Sequence, residues 1–498
     1  MKNKGNLMKK TLLKLLCLLF CCVDAFSLSQ KQIEAIDNCV DKYYKTQNIP
    51  GVSVILVNGN DVVYEKKLGY ENIKEKIPVS DKTHFELGST TKAFTGYGIL
   101  SLVDKGLIDF NSPVTEYLDW FRPTYNGKFY TITIEQLLHH TSGIPNSALF
   151  SIPVRKEDDA LFKTVEKFKN MQLIYKPGEK YEYSSLNYDI LGLIIETVTN
   201  KSYEEYIEFE VLQPLGLNNT YIGVIDNQDK KNDNSKGYKT CFLSNREYKS
   251  PIFRGNYPAG YIVSTTEDVA RWLSIQLNPE LYNVDNIVNK SHIPDKTVEP
   301  SYDGSIYAAG WCMYQYGENT LLSHSGENPN FSSFFELNKT KNIGIAVLMN
   351  RKSSASVALG VEISNIIMDE NDVKQGCFND IYILVDKICS IGFIVLLLLF
   401  GLLMYNIIKL INKKKNDISE NNCSIKKIII VSIIDLVILS VFFIVLYKVP
   451  GFIYRGINWN SVTIWAPISI TLFIITLYIV LVMCVINITL KVFFKEKK

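Results

Sequence analysis

Ser89-Thr90-Thr91-Lys92 places a hydroxyl and an amine three residues apart, where a helical pattern over Thr91–Lys105 begins. Residues at that spacing share one helix face, so Ser89 Oγ and the Lys92 amine can meet. The positive end of the helix dipole favours negative charge on a serine oxygen there. A neutral Lys92 could take the serine proton, provided burial or another cation lowers its pKa. The chemistry would be nucleophilic attack on a carbonyl. A Ser-x-x-Lys alone equally describes an N-cap serine beside a surface lysine, so its surroundings have to decide.

Those surroundings form an ordered set. Phe85-Glu86-Leu87-Gly88 precedes the serine, and Leu137-Leu138-His139-His140-Thr141-Ser142-Gly143-Ile144-Pro145 follows it. Pro177-Gly178-Glu179 comes next, then Tyr183-Ser184-Ser185-Leu186-Asn187-Tyr188 leading into Leu191-Gly192. Pro258-Ala259-Gly260 stands before Ser264-Thr265, and Gly310-Trp311 before His324-Ser325-Gly326. In identity, order and spacing the set resembles the serine β-lactamase-related hydrolases. Class C β-lactamases, low-molecular-weight penicillin-binding proteins, D-aminopeptidases and related esterases belong there. The resemblance covers roughly Ile33 to Met368. It implies a mixed sheet flanked by helices, an all-helical region beside it, and an active site between them. It also implies Ser89 as nucleophile, Lys92 as its activating partner, and Tyr183 as proton relay between nucleophile and leaving group. The oxyanion hole would be the backbone N–H groups of Ser89 and Glu327. Ser185, His324, Ser325 and Gly326 would border the substrate.

Two departures from the family pattern bear on substrate. The position two after the tyrosine is often Asn, whose amide contacts substrate; here it is Ser185, and a hydroxyl reaches less far. Asn187 matches a different family position and is not given that role. His324-Ser325-Gly326 stands where the lactamases have Lys-Thr-Gly. A histidine is only partly charged near neutral pH, so it would hold a substrate carboxylate less firmly than a lysine. Gly326 lets a substrate backbone approach closely. His139 and His140 invite a metal, but adjacent positions point apart on a helix, and no carboxylate or cysteine stands at ligand spacing. They are expected to shape the turn at Gly143-Ile144-Pro145, with no metal and no cofactor. Cys39, Cys241, Cys312 and Cys377 are too widely spaced to fix a pairing, and free thiols suit all four.

The elements that must hold these residues read as one domain, 27–370. Ser29–Asn48 has a helical pattern. Val52–Val57 and Val62–Leu68 flank Asn58-Gly59-Asn60-Asp61, a hairpin signal. A helical middle section follows, including Tyr188–Thr199, and Asp226–Lys236 is polar enough for a surface loop. Strand-like runs return at Thr320–Leu322, Ser332–Leu337 and Ile343–Met349, before a closing helix over Val357–Met368. One sheet built from both ends, with a helical insertion, gives an α/β (α+β) class of β-lactamase/transpeptidase type. Across 498 residues, 53 Lys+Arg against 51 Asp+Glu leave a net charge of +2. That excludes a chain built around a strongly basic nucleic-acid face. Hydrophobic residues at 47% exclude wholesale disorder. Ten cysteines are too few for a disulfide scaffold.

Both ends of the chain point to a membrane. Residues 1–26 carry a lysine-rich start, an apolar stretch from Leu12 to Val23, and Val23-Asp24-Ala25 as a cleavage site, so a signal peptide is expected. The alternative is an uncleaved anchor. After an expected tether over 371–387, three apolar runs at 388–411, 428–449 and 462–488 are each long enough to cross a bilayer. Lys413, Lys414, Lys415, Lys426 and Lys427 lie between the first two, and Lys491, Lys495, Lys497 and Lys498 follow the third. The loop from Pro450 to Ser461 carries only Arg455. The positive-inside rule then puts the lysine clusters in the cytoplasm and the domain outside. Asp435 lies inside the second run. It is either a functional carboxylate or a protonated or hydrogen-bonded one facing the other helices, with no partner identifiable. Abundant Lys, Asn and Ile suit a low-GC bacterium. The expected function is an extracytoplasmic membrane-anchored serine hydrolase acting on D-amino-acid peptides, small esters or amides. The alternatives are a β-lactamase proper and a non-turnover membrane sensor or immunity-type binding protein. Partners would be that small substrate and the lipid bilayer, with no nucleic acid.

Overall fold

The run Gly51–Asn58 is apolar on both faces of a strand, so it needs cover on both sides. The computed structural model, which describes residues 28–225, 235–368, 380–416, 424–453 and 456–494, supplies that cover. One sheet holds β1 (Gly51–Asn58), β2 (Asp61–Asn72), β3 (Ile77–Pro78), β4 (Ile306–Tyr307), β5 (Cys312–Tyr316), β6 (Asn319–Glu327), β7 (Ser332–Asn338) and β8 (Ile343–Met349). Their order is β4-β5-β6-β7-β8-β1-β2-β3. N- and C-terminal segments therefore meet where β1 pairs with β8, Val54 opposite Val347. Every pairing in this sheet is antiparallel, so the mixture lies in strands with helices and not in strand direction.

The helices that matter here are α1 (Gln30–Thr46), α2 (Thr91–Asp104), α3 (Ser185–Thr199), α4 (Thr266–Leu277) and α5 (Ala355–Met368). Ser29 starts α1 with a capping box: its hydroxyl accepts from Gln32 N, and the Gln32 side chain accepts from Ser29 N. Side chains alternate along β1. Val52, Val54 and Leu56 pack with Ile36 and Val40 of α1 and Leu359 and Ile363 of α5. Ile55 and Val57 pack on the opposite face with Trp272 and Leu273 of α4. Burying each such side chain stabilises by about 1.5–3 kcal/mol. α2 is buried on every side through most of its length, as a helix apolar all round should be. The predicted start of the Tyr188–Thr199 helix moves back to Ser185.

The C-terminal part forms α6 (Ile381–Asn416), α7 (Ile425–Ile453), α8 (Trp459–Trp465) and α9 (Ile468–Phe493). α6, α7 and α9 are long and apolar enough to cross a membrane. At 36 residues, α6 is longer than its apolar run. Such a helix reaches ~54 Å against a hydrocarbon core of ~30 Å. The second half of the expected tether is accordingly helix, and it is docked on the domain. Asp380 is buried against Arg351, 3.1 Å from its guanidinium, and accepts from Ser353 and from Tyr382 N. Asp386 accepts from the backbone of Phe242 and Leu243. Those two residues form a hairpin tip between Tyr238–Cys241 and Ser244–Glu247, both at positive φ without being glycine. Phe473 near the start of α9 meets Gly392 of α6, and Lys427 of α7 reaches Val492 O of α9. So α6 and α9 leave the domain in the same direction and α7 returns. Lys413, Lys414, Lys415, Lys426, Lys427 and Lys491 lie at the end remote from the domain. Asp435 has a partner after all: the Thr489 hydroxyl donates to it. The expected signal peptide, residues 226–234 of the polar loop, Cys377, Arg455 and the last lysines lie outside the described residues.

Candidate active site

Ser89 sits in a 3₁₀ turn, Gly88–Thr90, that runs directly into α2. Lys92 is in the first helical turn, so the three-residue spacing does bring the two together. Lys92 Nζ is 3.1 Å from Ser89 Oγ, 2.6 Å from the Ala259 carbonyl and 3.5 Å from Ser185 Oγ. The amine is fully buried. Burial lowers its pKa to about 7, and the more distant Asp189 opposes the shift without cancelling it. Asp189 is itself buried, at a raised pKa, and with the Asn256 amide nitrogen turned towards it both carboxylate oxygens are met at 3.0 Å.

Tyr183 reaches the same point from the segment before α3, its ring centroid 5.0 Å from Lys92 Nζ. Its hydroxyl is buried and makes no hydrogen bond of ordinary geometry. It is near enough for Ser89 to lower its pKa somewhat, but burial dominates and pushes it up. A buried hydroxyl without a partner calls for an explanation, and one aimed at a substrate-sized space has one. The cleft there holds about 480 Å³ and is bordered by Ser89, Tyr183, Ser185, His324, Ser325 and Glu327, among others.

The edge of β6 closes the other side of the serine. A Cβ on Gly88, whose φ is +57°, would lie 2.4 Å from Glu327 N, and one on Gly326 would lie 1.9 Å from Leu87 O. Only glycines allow the turn and the strand to approach this closely. Ser333 Oγ and Thr90 Oγ1 both donate to Leu87 O and fix the turn. Asn328 donates to Glu86 and to the Gly260 carbonyl. Glu327 N thereby lies against the turn that carries Ser89, and both residues border the cleft.

His324 borders the cleft, and its surroundings disfavour even the partial charge expected of an ordinary histidine. Its pKa falls to about 3, through burial first and Lys92 second, against a raising contact with the Ser325 carbonyl. Nδ1 lies 2.7 Å from that carbonyl and Nε2 lies 3.0 Å from the Tyr307 hydroxyl. The Nδ1–H tautomer satisfies both, which leaves no ring proton for a substrate carboxylate. His139 and His140 do not lie on a helix. Ile134–Leu138 ends first; His139 caps it and His140 has φ +57°. His140 is fully buried, its Nδ1 meets Asn187 Nδ2 at 2.7 Å and Ser184 N at 3.3 Å, and its ring lies 4.4 Å from the Tyr183 ring. It buttresses Tyr183. Asn187 also accepts from Ser142, so both ends of its amide are engaged away from the cleft. Tyr307, and the packing of His140 on Tyr183, escaped sequence reasoning because these contacts form only when β4 and the 139–142 turn close on Tyr183.

A family model described as Beta-lactamase matches residues 36–361, well over half of the chain. "Protein flp" of Staphylococcus aureus strain N315 is 31% identical over 465 residues, covering 91% of this chain and 90% of its own. That span must extend beyond the β-lactamase-like domain into the C-terminal helices. The "Unguisins hydrolase ungD'" of Aspergillus campestris is 26% identical over 360 residues, covering 70% of this chain and 66% of its own. A solved structure, the octameric penicillin-binding protein homologue from Pyrococcus abyssi, aligns with a TM-score of 0.61 at 26% identity, over 69% of this chain and 79% of that one. With a serine-lysine-tyrosine cluster in a β-lactamase-like cleft, the chain belongs to the β-lactamase family.

Proposed function

We propose that the protein is a membrane-anchored, extracytoplasmic serine hydrolase that works through a covalent acyl-enzyme. The observation that carries this reading is Lys92 Nζ, 3.1 Å from Ser89 Oγ and brought to about 7 by burial. Neutral Lys92 takes the Ser89 proton as Oγ bonds to the substrate carbonyl carbon. The backbone N–H groups of Ser89 and Glu327 hold the oxygen of the tetrahedral intermediate. As the carbonyl carbon parts from its leaving nitrogen or oxygen, Tyr183 gives that atom its proton and recovers one from the Lys92 ammonium. Water then gives a proton to the same pair as its oxygen bonds to the acyl carbon; the bond from that carbon to Oγ breaks, the pair passes the proton to Oγ, and the acid product leaves with Ser89 restored as a hydroxyl. The two groups suit these roles because their environments push them apart, the lysine down and the tyrosine up.

The substrates are peptides bearing D-amino acids, such as cell-wall stem peptides, or small esters and amides. A neutral His324 and Ser185 in place of an amide weigh against β-lactams as the main substrate. The three spans carry the domain on the outer side of a bacterial membrane, with the lysine-rich helix ends in the cytoplasm. The positive-inside rule supports that orientation, since those ends lie remote from the domain. The test is labelling of intact protein with a fluorescent penicillin and a fluorophosphonate, followed by mass spectrometry of the labelled peptide. Ser89 should carry the adduct, and Ser89→Ala should abolish it with the fold intact. An adduct elsewhere, or undiminished labelling of Ser89→Ala, overturns the reading.

A further inference from the structure

The catalytic domain does not form its cleft alone. Trp465, the last residue of α8, borders the cleft that contains Ser89 and Glu327. Its neighbour Ile464 belongs to the main hydrophobic core of the domain. Buried Lys239 donates to the carbonyls of Thr463 and Ile464, both at 2.9 Å. Carbonyls in the last turn of a helix lack intrahelical partners, so this lysine fixes the end of α8 and with it Trp465.

A second contact comes from α6. The Tyr382 hydroxyl donates to Glu327 Oε2 at 2.8 Å. Lys352 Nζ lies 3.4 Å from the same oxygen, 4.7 Å from the Tyr382 ring and 4.8 Å from the Trp465 ring. One lysine therefore sits between an aromatic ring from each of two membrane-region helices, and its charge is offset by Glu327. The backbone N–H of Glu327 is the oxyanion donor of the proposed reaction, so α6 grips the very residue that supplies it. Leu149 and Phe150 border the same cleft as Trp465 and are, like it, apolar.

We infer that the membrane region completes the active site, with Trp465 as a substrate-contacting wall and Tyr382 as a positioning residue for Glu327. The inference rests on the acyl-enzyme reading of the same cleft. The ligand class follows from the lining: an apolar group on the acyl or leaving side of the substrate packs on Trp465, Leu149 and Phe150.

The experiment uses the full chain in lipid nanodiscs and two fluorophosphonates, one with a short and one with a long alkyl chain. Trp465→Ala should lower the ratio of long-chain to short-chain labelling rates by about tenfold through loss of positioning. Trp465→Phe should lower the same long-to-short ratio by a smaller factor, which keeps the test open if the alanine variant unfolds. Tyr382→Phe should slow both probes alike by about tenfold, in the maximal rate and not in the half-saturating concentration. A long-to-short ratio unchanged by either Trp465 variant overturns the wall, and wild-type rates in Tyr382→Phe overturn the positioning. Ser89→Ala separates the two levels. If it still labels, the acyl-enzyme reading fails; if it is silent while the other variants behave as wild type, this inference alone fails.

Discussion

Lys92 and Arg351 are both buried cations, in regions that treat them oppositely. Lys92 faces a hydroxyl, a carbonyl and two aromatic rings, and makes no ion pair among the described residues. Burial wins there, and its pKa drops to about 7. Arg351 is as deeply buried, but Asp380 stands 3.1 Å away, and the carbonyls of Gln47 and Asn48 take further donors. Burial lowers Arg351 from its ordinary value as well, while Asp380 opposes; a guanidinium remains charged regardless. A buried cation without a touching carboxylate is poised to give up its proton. One with such a partner is a fastener, here between the domain and the first long apolar C-terminal helix.

The largest effect that tests this contrast is loss of the two groups proposed to transfer protons. General-base help is typically worth ~10²–10⁴-fold, so Lys92→Ala and Tyr183→Phe should each slow acylation by that order. The two act as a unit, so the double variant should be little worse than the worse single one. Stopped-flow labelling measures it. Strictly multiplicative losses would mean that Lys92 and Tyr183 serve separate steps.

Breaking the fastener should change stability and spare the chemistry. Asp380→Ala leaves Arg351 buried without its counter-charge, which costs about 3–5 kcal/mol. Thermal unfolding in detergent should show a large downward shift. Arg351→Met with Asp380→Leu should recover most of it, since replacing a buried pair by apolar residues is often neutral. An Asp380→Ala protein as stable as wild type would mean that the helix is not held by this pair.

The same contrast explains what the sequence disclosed. Ser89 and Lys92 are three residues apart, so local helix geometry suffices to join them, and Tyr183 carries a recognisable neighbourhood. Strands such as Ile343–Met349 were legible to the residue because both faces are apolar and the run is bounded by turn residues. Contacts closed by the tertiary fold left no such trace. Glu327 meets Tyr382 across 55 residues, and Trp465 meets Lys352 across more than a hundred. The apolar run signals a span from Ile388, but the helix starts at Ile381 because Asp380 caps it and fastens it to the domain. His324 shows the converse. Its position was legible, but its charge was not, because charge depends on burial and on the nearby positive charge of Lys92, both set by the tertiary fold.

The smallest effect separates Lys92 from His324 and is read from a pH profile. Lys92 must be neutral to accept a proton, and its pKa is lowered to about 7. Below that, the neutral fraction falls ~tenfold per pH unit, so acylation should rise with pH and level off above about 7. His324 is lowered to about 3, so it is neutral across the whole working range and contributes no charge for a rising pH to remove. The ratio of rates for an acidic and a neutral ester should then be flat between about pH 5 and 9, the window in which an ordinary histidine would titrate. A ratio that falls as pH rises through 6–7 would mean that His324 carries a proton in the working enzyme. In that case the hydrogen bonds to Tyr307 and Ser325 would have to rearrange on substrate binding, because a doubly protonated ring cannot accept from the tyrosine hydroxyl.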